Sequence, residues 1–274
     1  MNITIVGAGN VGTVLGRLLK GKRHTINEVF SRNQFQAIKL ADELQGRVCN
    51  NLEQIDKQSD VYIVAVSDDA VDAISASLRL DKQIILHTSG SVSIGRLRNA
   101  SKNYGALYPL QSLRKETGHI PSVPFLVDAN NEHTLQQISD LALSISPNVI
   151  VADDQKRLHY HLAAVIVSNF TNHLYALAKQ YTDLNEIDFK LLMPLIEEIV
   201  RRLHDYEPAK MQTGPAARGD INTIAKHLAL LGQFPQLRDV YALLSESISA
   251  FRKSYRRSVF LVYRGSSCKH EIHN

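Results

Sequence analysis

The chain has no tryptophan, only two cysteines, and few aromatic residues, 7% in all. Cys49 and Cys268 stand far from each other and from any His or Cys at metal-ligand spacing, so a disulfide framework and the common zinc motifs are excluded. Reduced thiols are expected. Long apolar runs are also missing. The longest aliphatic stretch, Leu162 to Val167, falls far short of the roughly 20 residues that a membrane helix needs. The N-terminus opens directly into a strand-like segment, Asn2 to Val6, with no signal-peptide pattern, and a cytoplasmic location is expected. There is no internal repeat and no low-complexity stretch.

Neither sign of charge dominates. The formal net charge is +4, and all of it lies in residues 154–274, which hold 16 Lys and Arg against 12 Asp and Glu; residues 1–153 balance at 15 of each. Arg252, Lys253, Arg256, Arg257, Arg264 and Lys269 cluster at the end with only Glu271 opposing. This reads as a solvated helix end plus a loose terminus, and nucleic-acid binding is only a minor reading.

What is present is a strand–helix alternation. Short apolar runs at Ile3–Val6, Asn27–Phe30, Val61–Val66, Gln83–His87, Gly105–Tyr108, Val123–Val127 and Val149–Val151 are too continuously hydrophobic for a one-sided sheet. Helical spacing appears between them at Val11–Lys20, Gln34–Leu44, Ala70–Leu78, Ile94–Arg98 and Thr134–Ile145. The pattern predicts an α/β doubly wound, mainly parallel sheet over residues 1–153. From Asp154 the strands stop. One uninterrupted helix is predicted to Tyr181, then helices over Asp188–Tyr206 with a kink or restart at Pro194, Asp220–Leu231, and Gln236–Ser254. Residues 154–274 thus read as an all-helical domain.

Gly7-Ala8-Gly9-Asn10-Val11-Gly12 fits G-x-G-x-x-G, and its place between an apolar strand and an amphipathic helix is what a dinucleotide-binding turn requires. Gly7 makes the tight turn, Gly9 admits the pyrophosphate, Gly12 lets helix and strand pack, and the N–H groups of Asn10 and Val11 face the phosphates. About 20 residues on, where an NAD site places an acid, the chain reads Ser31-Arg32-Asn33. Arg32 can pair bidentately with a 2′-phosphate while Ser31 and Asn33 add neutral hydrogen bonds, so NADP is the expected cofactor. Ser67, Thr88 and Ser89 follow later strand ends, where such a sheet binds ligands, and join the cofactor set. His87 and Tyr108 are candidate substrate contacts, with a buried core role an even alternative for His87; Asp68 and Asp69 read as helix-capping residues before Ala70.

These motifs, with Leu158–Ala164, Asn169 and Thr213–Asp220, resemble a family of Rossmann-like NADP oxidoreductases that carry an all-helical C-terminal domain of unknown function. More distantly the layout is similar to ketopantoate reductase, pyrroline-5-carboxylate reductase and the 6-phosphogluconate and 3-hydroxyacid dehydrogenases. The resemblance implies a homodimer with a substrate cleft between the two domains. In the hydroxyacid dehydrogenases and ketopantoate reductase the first long helix carries a catalytic Lys four residues before an Asn; here Val165 stands four before Asn169.

At about 100° per residue His161, Ser168 and Asn172 share one stripe of the long helix, with Asn169 some 80° round. His161 suits general-acid work in reducing C=O or C=N, and Asn169 would orient the substrate or the carboxamide of the cofactor. Both are the catalytic candidates. Asp220 is expected to cap the helix after it, and Arg218 to bind an anionic group of the substrate or form a structural ion pair. Two functions follow: an NADP-dependent oxidoreductase acting on a small, anionic metabolite, or a sensor or scaffold that binds NADP without turnover.

Overall fold

The computed structural model describes the backbone of residues 1–22 and 24–267, and side chains through Tyr255. Cys268, Lys269 and Glu271 lie outside the described residues, as do the side chains of Arg256, Arg257 and Arg264. The chain forms two units, Met1–Thr171 and Asn172–Asn274. The first unit therefore runs past residue 153 and includes the start of the long helix.

Eight strands make one sheet: β1 Asn2–Val6, β2 Thr25–Phe30, β3 Arg47–Cys49, β4 Val61–Val64, β5 Ile84–His87, β6 Asn103–Pro109, β7 Phe125–Ala129 and β8 Val149–Val151. Their spatial order is β3-β2-β1-β4-β5-β6-β7-β8, parallel except where β6 meets β7 antiparallel. The helices of this unit begin with α1 Asn10–Lys20, α2 Gln34–Leu44, α3 Val71–Ser77, α4 Glu132–Ile145 and α5 Asp154–Ala164. Alternation along the strands feeds two cores. Ile3, Ile5, Ile63 and Leu86 meet Val14, Leu15, Leu40 and Ile138 of α1, α2 and α4. Val6, Tyr62, Val64 and Ile85 meet Val71 and Ile74 of α3 on the other face. Burial of both faces explains why the strand sequences lack polar alternation. The order reverses at β1, between β2 and β4, and so opens the crevice at the strands' carboxyl ends where this architecture takes its ligand.

The long helix departs from the expected regular one. After α5 comes a π-helical stretch, Val165–Phe170, before α6 Thr171–Leu184. A π turn closes i→i+5 hydrogen bonds and inserts about one residue, rotating everything beyond it by roughly 100°. Ser168 lies within this stretch, where the regular 100° spacing that put it on one stripe with His161 does not hold.

The second unit continues with α7 Met193–Arg202, α8 Pro208–Met211, α9 Pro215–Arg218, α10 Ile221–Leu230 and α11 Pro235–Ser267. Pro194 restarts a helix, entering α7 in its first turn, where no backbone N–H is needed. Asp220 caps α10 as expected, its Oδ1 accepting the Thr223 N–H at 3.0 Å. Ser249 of α11 donates to the Ala216 carbonyl at 3.0 Å, and His227 Nδ1 lies 2.8 Å from the Tyr241 hydroxyl. No described helix is long and apolar enough to cross a membrane.

Candidate functional site

A cavity of about 990 Å³ opens at the carboxyl ends of the strands of the first unit. The glycine turn forms one wall. Gly7 has φ +116°, and a Cβ there would stand 2.1 Å from the Ala65 carbonyl oxygen; a Cβ on Gly12 would stand 2.0 Å from the Gly7 carbonyl oxygen. No side chain fits at either place, and that contact lets α1 start directly under the turn. Gly12 thus shapes the site from beneath without lining it. Gly9 faces open space, so a ligand can approach its backbone. As the residue before α1, Gly9 makes no side-chain cap, so the first N–H groups of the helix point out toward the cavity with the positive end of its dipole.

At the far end, after β2, Ser31, Arg32 and Asn33 line the wall. Arg32 is exposed and has no carboxylate partner among the described residues, so its guanidinium is available to an anion. Asn33 is partly committed: its side-chain oxygen caps α2 by accepting the Gln36 N–H at 3.2 Å. Asn10, Val11, Ser67, Thr88 and Ser89 all line the cavity. Asp68 does so in a different role. Ser67, not Asp68, precedes the 3₁₀ turn, and the Asp68 carboxylate takes the hydroxyl of Ser91, joining the loops after β4 and β5.

Tyr108 and His161 complete the wall from β6 and α5. The Tyr108 hydroxyl and His161 Nδ1 are hydrogen-bonded at 3.0 Å, their rings edge to face at 5.8 Å. Burial raises the Tyr108 pKa, keeping its proton on at neutral pH. A phenol bonded to an imidazole at a cavity wall can hand a proton to a bound group and recover it through the ring.

Two sequence-based expectations are corrected here. His87 does not reach the cavity: it is fully buried at the end of β5, where its Nδ1 accepts the Ser89 N–H at 3.2 Å. Burial, with the charge of Arg157 second, lowers its pKa to about 4 and holds it neutral. Its part is to support the loop. Asn169 lies exposed in the π-helical stretch and is not among the residues lining the cavity. Arg218 sits exposed at the end of α9 in the second unit and is not among the residues lining the cavity.

Residues 2–89 match the family model described as NADP oxidoreductase, coenzyme F420-dependent, and residues 123–248 match a domain of unknown function, DUF2520. No curated protein sequence matches the chain. Among solved structures, a Bacteroides fragilis protein described as a "putative NADP oxidoreductase" is 33% identical, with TM-score 0.85 over 91% of this chain and 98% of that one. A Thermotoga maritima protein is 23% identical, with TM-score 0.74 over 92% and 99%. The pyrroline-5-carboxylate reductase of Streptococcus pyogenes shares the fold at 14% identity, with TM-score 0.62 over 91% and 98%. The chain belongs to the NADP oxidoreductase family that joins a Rossmann-like nucleotide-binding unit to this helical domain of unknown function.

Proposed function

We propose that the cavity of the first unit binds NADPH and that Tyr108 and His161 deliver the proton in reducing a C=O or C=N bond of a small metabolite. The residues fit the cofactor. Gly7 makes the tight turn and Gly9 leaves room for the pyrophosphate at the start of α1, and the unpaired Arg32 offers two parallel N–H donors to a 2′-phosphate. Bound NADPH supplies the hydride. The observation that carries a reductase rather than a sensor is the 3.0 Å contact between Tyr108 and His161 on that same wall, since a binding-only site has no need of a paired proton donor. It also supplies a proton source where Val165 stands in place of the lysine of the similar dehydrogenases.

The test is NADPH oxidation by the purified protein against a panel of small oxo acids and cyclic imines, each also run with NADH. Substrate-dependent oxidation, faster with NADPH, is expected. Tight NADPH binding with no turnover across the panel would favour the sensor.

We infer as well that the second unit pairs with a second copy. Leu191, Leu195, Leu203 and Leu243 are each more than half exposed, and fully burying one leucine side chain is worth roughly 1.5–3 kcal/mol. Light scattering on the eluting protein should give the mass of two chains. A mass of one chain at every concentration would remove the pairing.

A further inference from the structure

Three side chains of α5 meet the loop after β5 in step. Asp154 Oδ1 accepts the Ile94 N–H at 3.1 Å, and Arg157 Nη2 donates to the Val92 carbonyl at 2.6 Å. One turn on, the His161 ring fills the place left by the missing side chain of Gly90, where a Cβ would stand 2.7–2.8 Å from its atoms. Positions 154, 157 and 161 lie on one helical face, and their partners run back along the loop through 94, 92 and 90. Helix and loop are therefore held in a single register.

Arg157 is the middle link and an unusual one. It is only 1% exposed, a rare setting for an arginine. Its Nη2 also reaches Asp154 Oδ1 at 2.6 Å, and its Nη1 has Asp128 at 3.5 Å. Nε and Nη1 make no hydrogen bond among the described residues. Burying a guanidinium with donors unmet is costly, and apolar side chains of similar volume often stabilise a core as well or better. Stability alone does not account for this residue.

We propose that Arg157 is a positioning residue for the proton-donating pair. By fixing Val92 and Asp154 together it holds Gly90 against the His161 ring, and so keeps Nδ1 on the Tyr108 hydroxyl; its meaning for catalysis rests on the reductase reading above. Val92 carries the link from one side and the helix from the other. Loss of Arg157 frees the loop to shift, and the ring turns away from Tyr108.

The experiment reads the ring directly, in protein without cofactor. Imidazole signals of ¹⁵N-histidine-labelled protein, with His161 assigned by its loss in His161→Gln, report the tautomer of the ring and its cross-peak to Tyr108. The double variant Arg157→Met with Asp154→Asn removes both charges of the Arg157–Asp154 pair and leaves Asp128, a carboxylate whose pKa burial already raises, as the remaining acid at this place; the amide oxygen that replaces the Asp154 carboxylate can still accept the Ile94 N–H. It should fold, lose the cross-peak, and bind NADPH as the parent does. Arg157→Lys, which keeps the charge and one donor, should restore part of the cross-peak. An unchanged His161 signal in the folded double variant would overturn the proposal. Should the double variant fail to fold, an unchanged signal in Arg157→Lys would overturn it equally. Failure of the parent to bind or oxidise NADPH would sink the reductase reading while leaving this result legible.

Discussion

His161→Ala should lower kcat for NADPH-dependent reduction by roughly 10²–10⁴-fold, the scale on which a positioned general acid contributes, and leave NADPH affinity nearly unchanged. The separation of the two effects follows from the site. His161 touches Tyr108 and Gly90 at one end of the cavity, whereas the groups assigned to the phosphates, Gly7, Gly9 and Arg32, belong to other loops. The alanine also leaves Gly90 without the ring that packs on it. Tyr108→Phe separates the chemistry from the packing, because it keeps the ring contact and removes only the hydroxyl. If the pair works as one unit, the two variants should lose similar amounts and the double variant little more, since groups acting together are not additive. Full turnover by His161→Ala on an identified substrate would take the residue out of the mechanism.

The parts of this site that were legible in the sequence are those fixed by backbone chemistry. A glycine where φ is positive and another where a carbonyl oxygen presses on the Cα admit few substitutes, so Gly7 and Gly12 announced the turn, and the continuous apolar runs announced a sheet covered on both faces. Asp220 and Pro194 were legible for the same local reason. What failed was anything decided by contacts distant along the chain. His87 and the residues Thr88 and Ser89 are neighbours in sequence, yet the end of β5 turns one into the core and the others to the cavity. Asp68 had a plausible local role as a cap, but the cap position falls to Ser67 and the Asp68 carboxylate accepts from Ser91, a residue 23 positions away. Helical-wheel reasoning assumed one period throughout the long helix; no side-chain pattern marked the π turn that begins at Val165. Arg157 by itself reads as one more surface arginine, although Asp154, Arg157 and His161 at steps of three and four form a polar stripe that the same wheel draws. The strand Arg47–Cys49 is too short to leave a period at all.

Arg32→Asp should weaken NADPH binding by about ten- to a hundredfold and abolish or reverse the preference over NADH, because a charge-assisted bidentate contact is worth roughly 1.5–3 kcal/mol. The direction is set by the loop after β2. Ser31 and Asn33 offer neutral groups only, and Ser31 Oγ already accepts the Asn33 N–H at 3.3 Å, so the positive charge at this end of the cavity comes from Arg32. An aspartate in its place repels a 2′-phosphate and accepts hydrogen bonds from a 2′-hydroxyl, the arrangement of NAD sites in this architecture. Because Arg32 is exposed, its contribution should fall as salt rises, and the preference of the unmodified protein for NADPH should narrow with it. Titration of both cofactors into both proteins at low and high salt measures all of this. Equal affinities of the unmodified protein for NADPH and NADH at low salt would remove Arg32 from the cofactor site, and with it the reason this loop carries an arginine where an acid would select NAD.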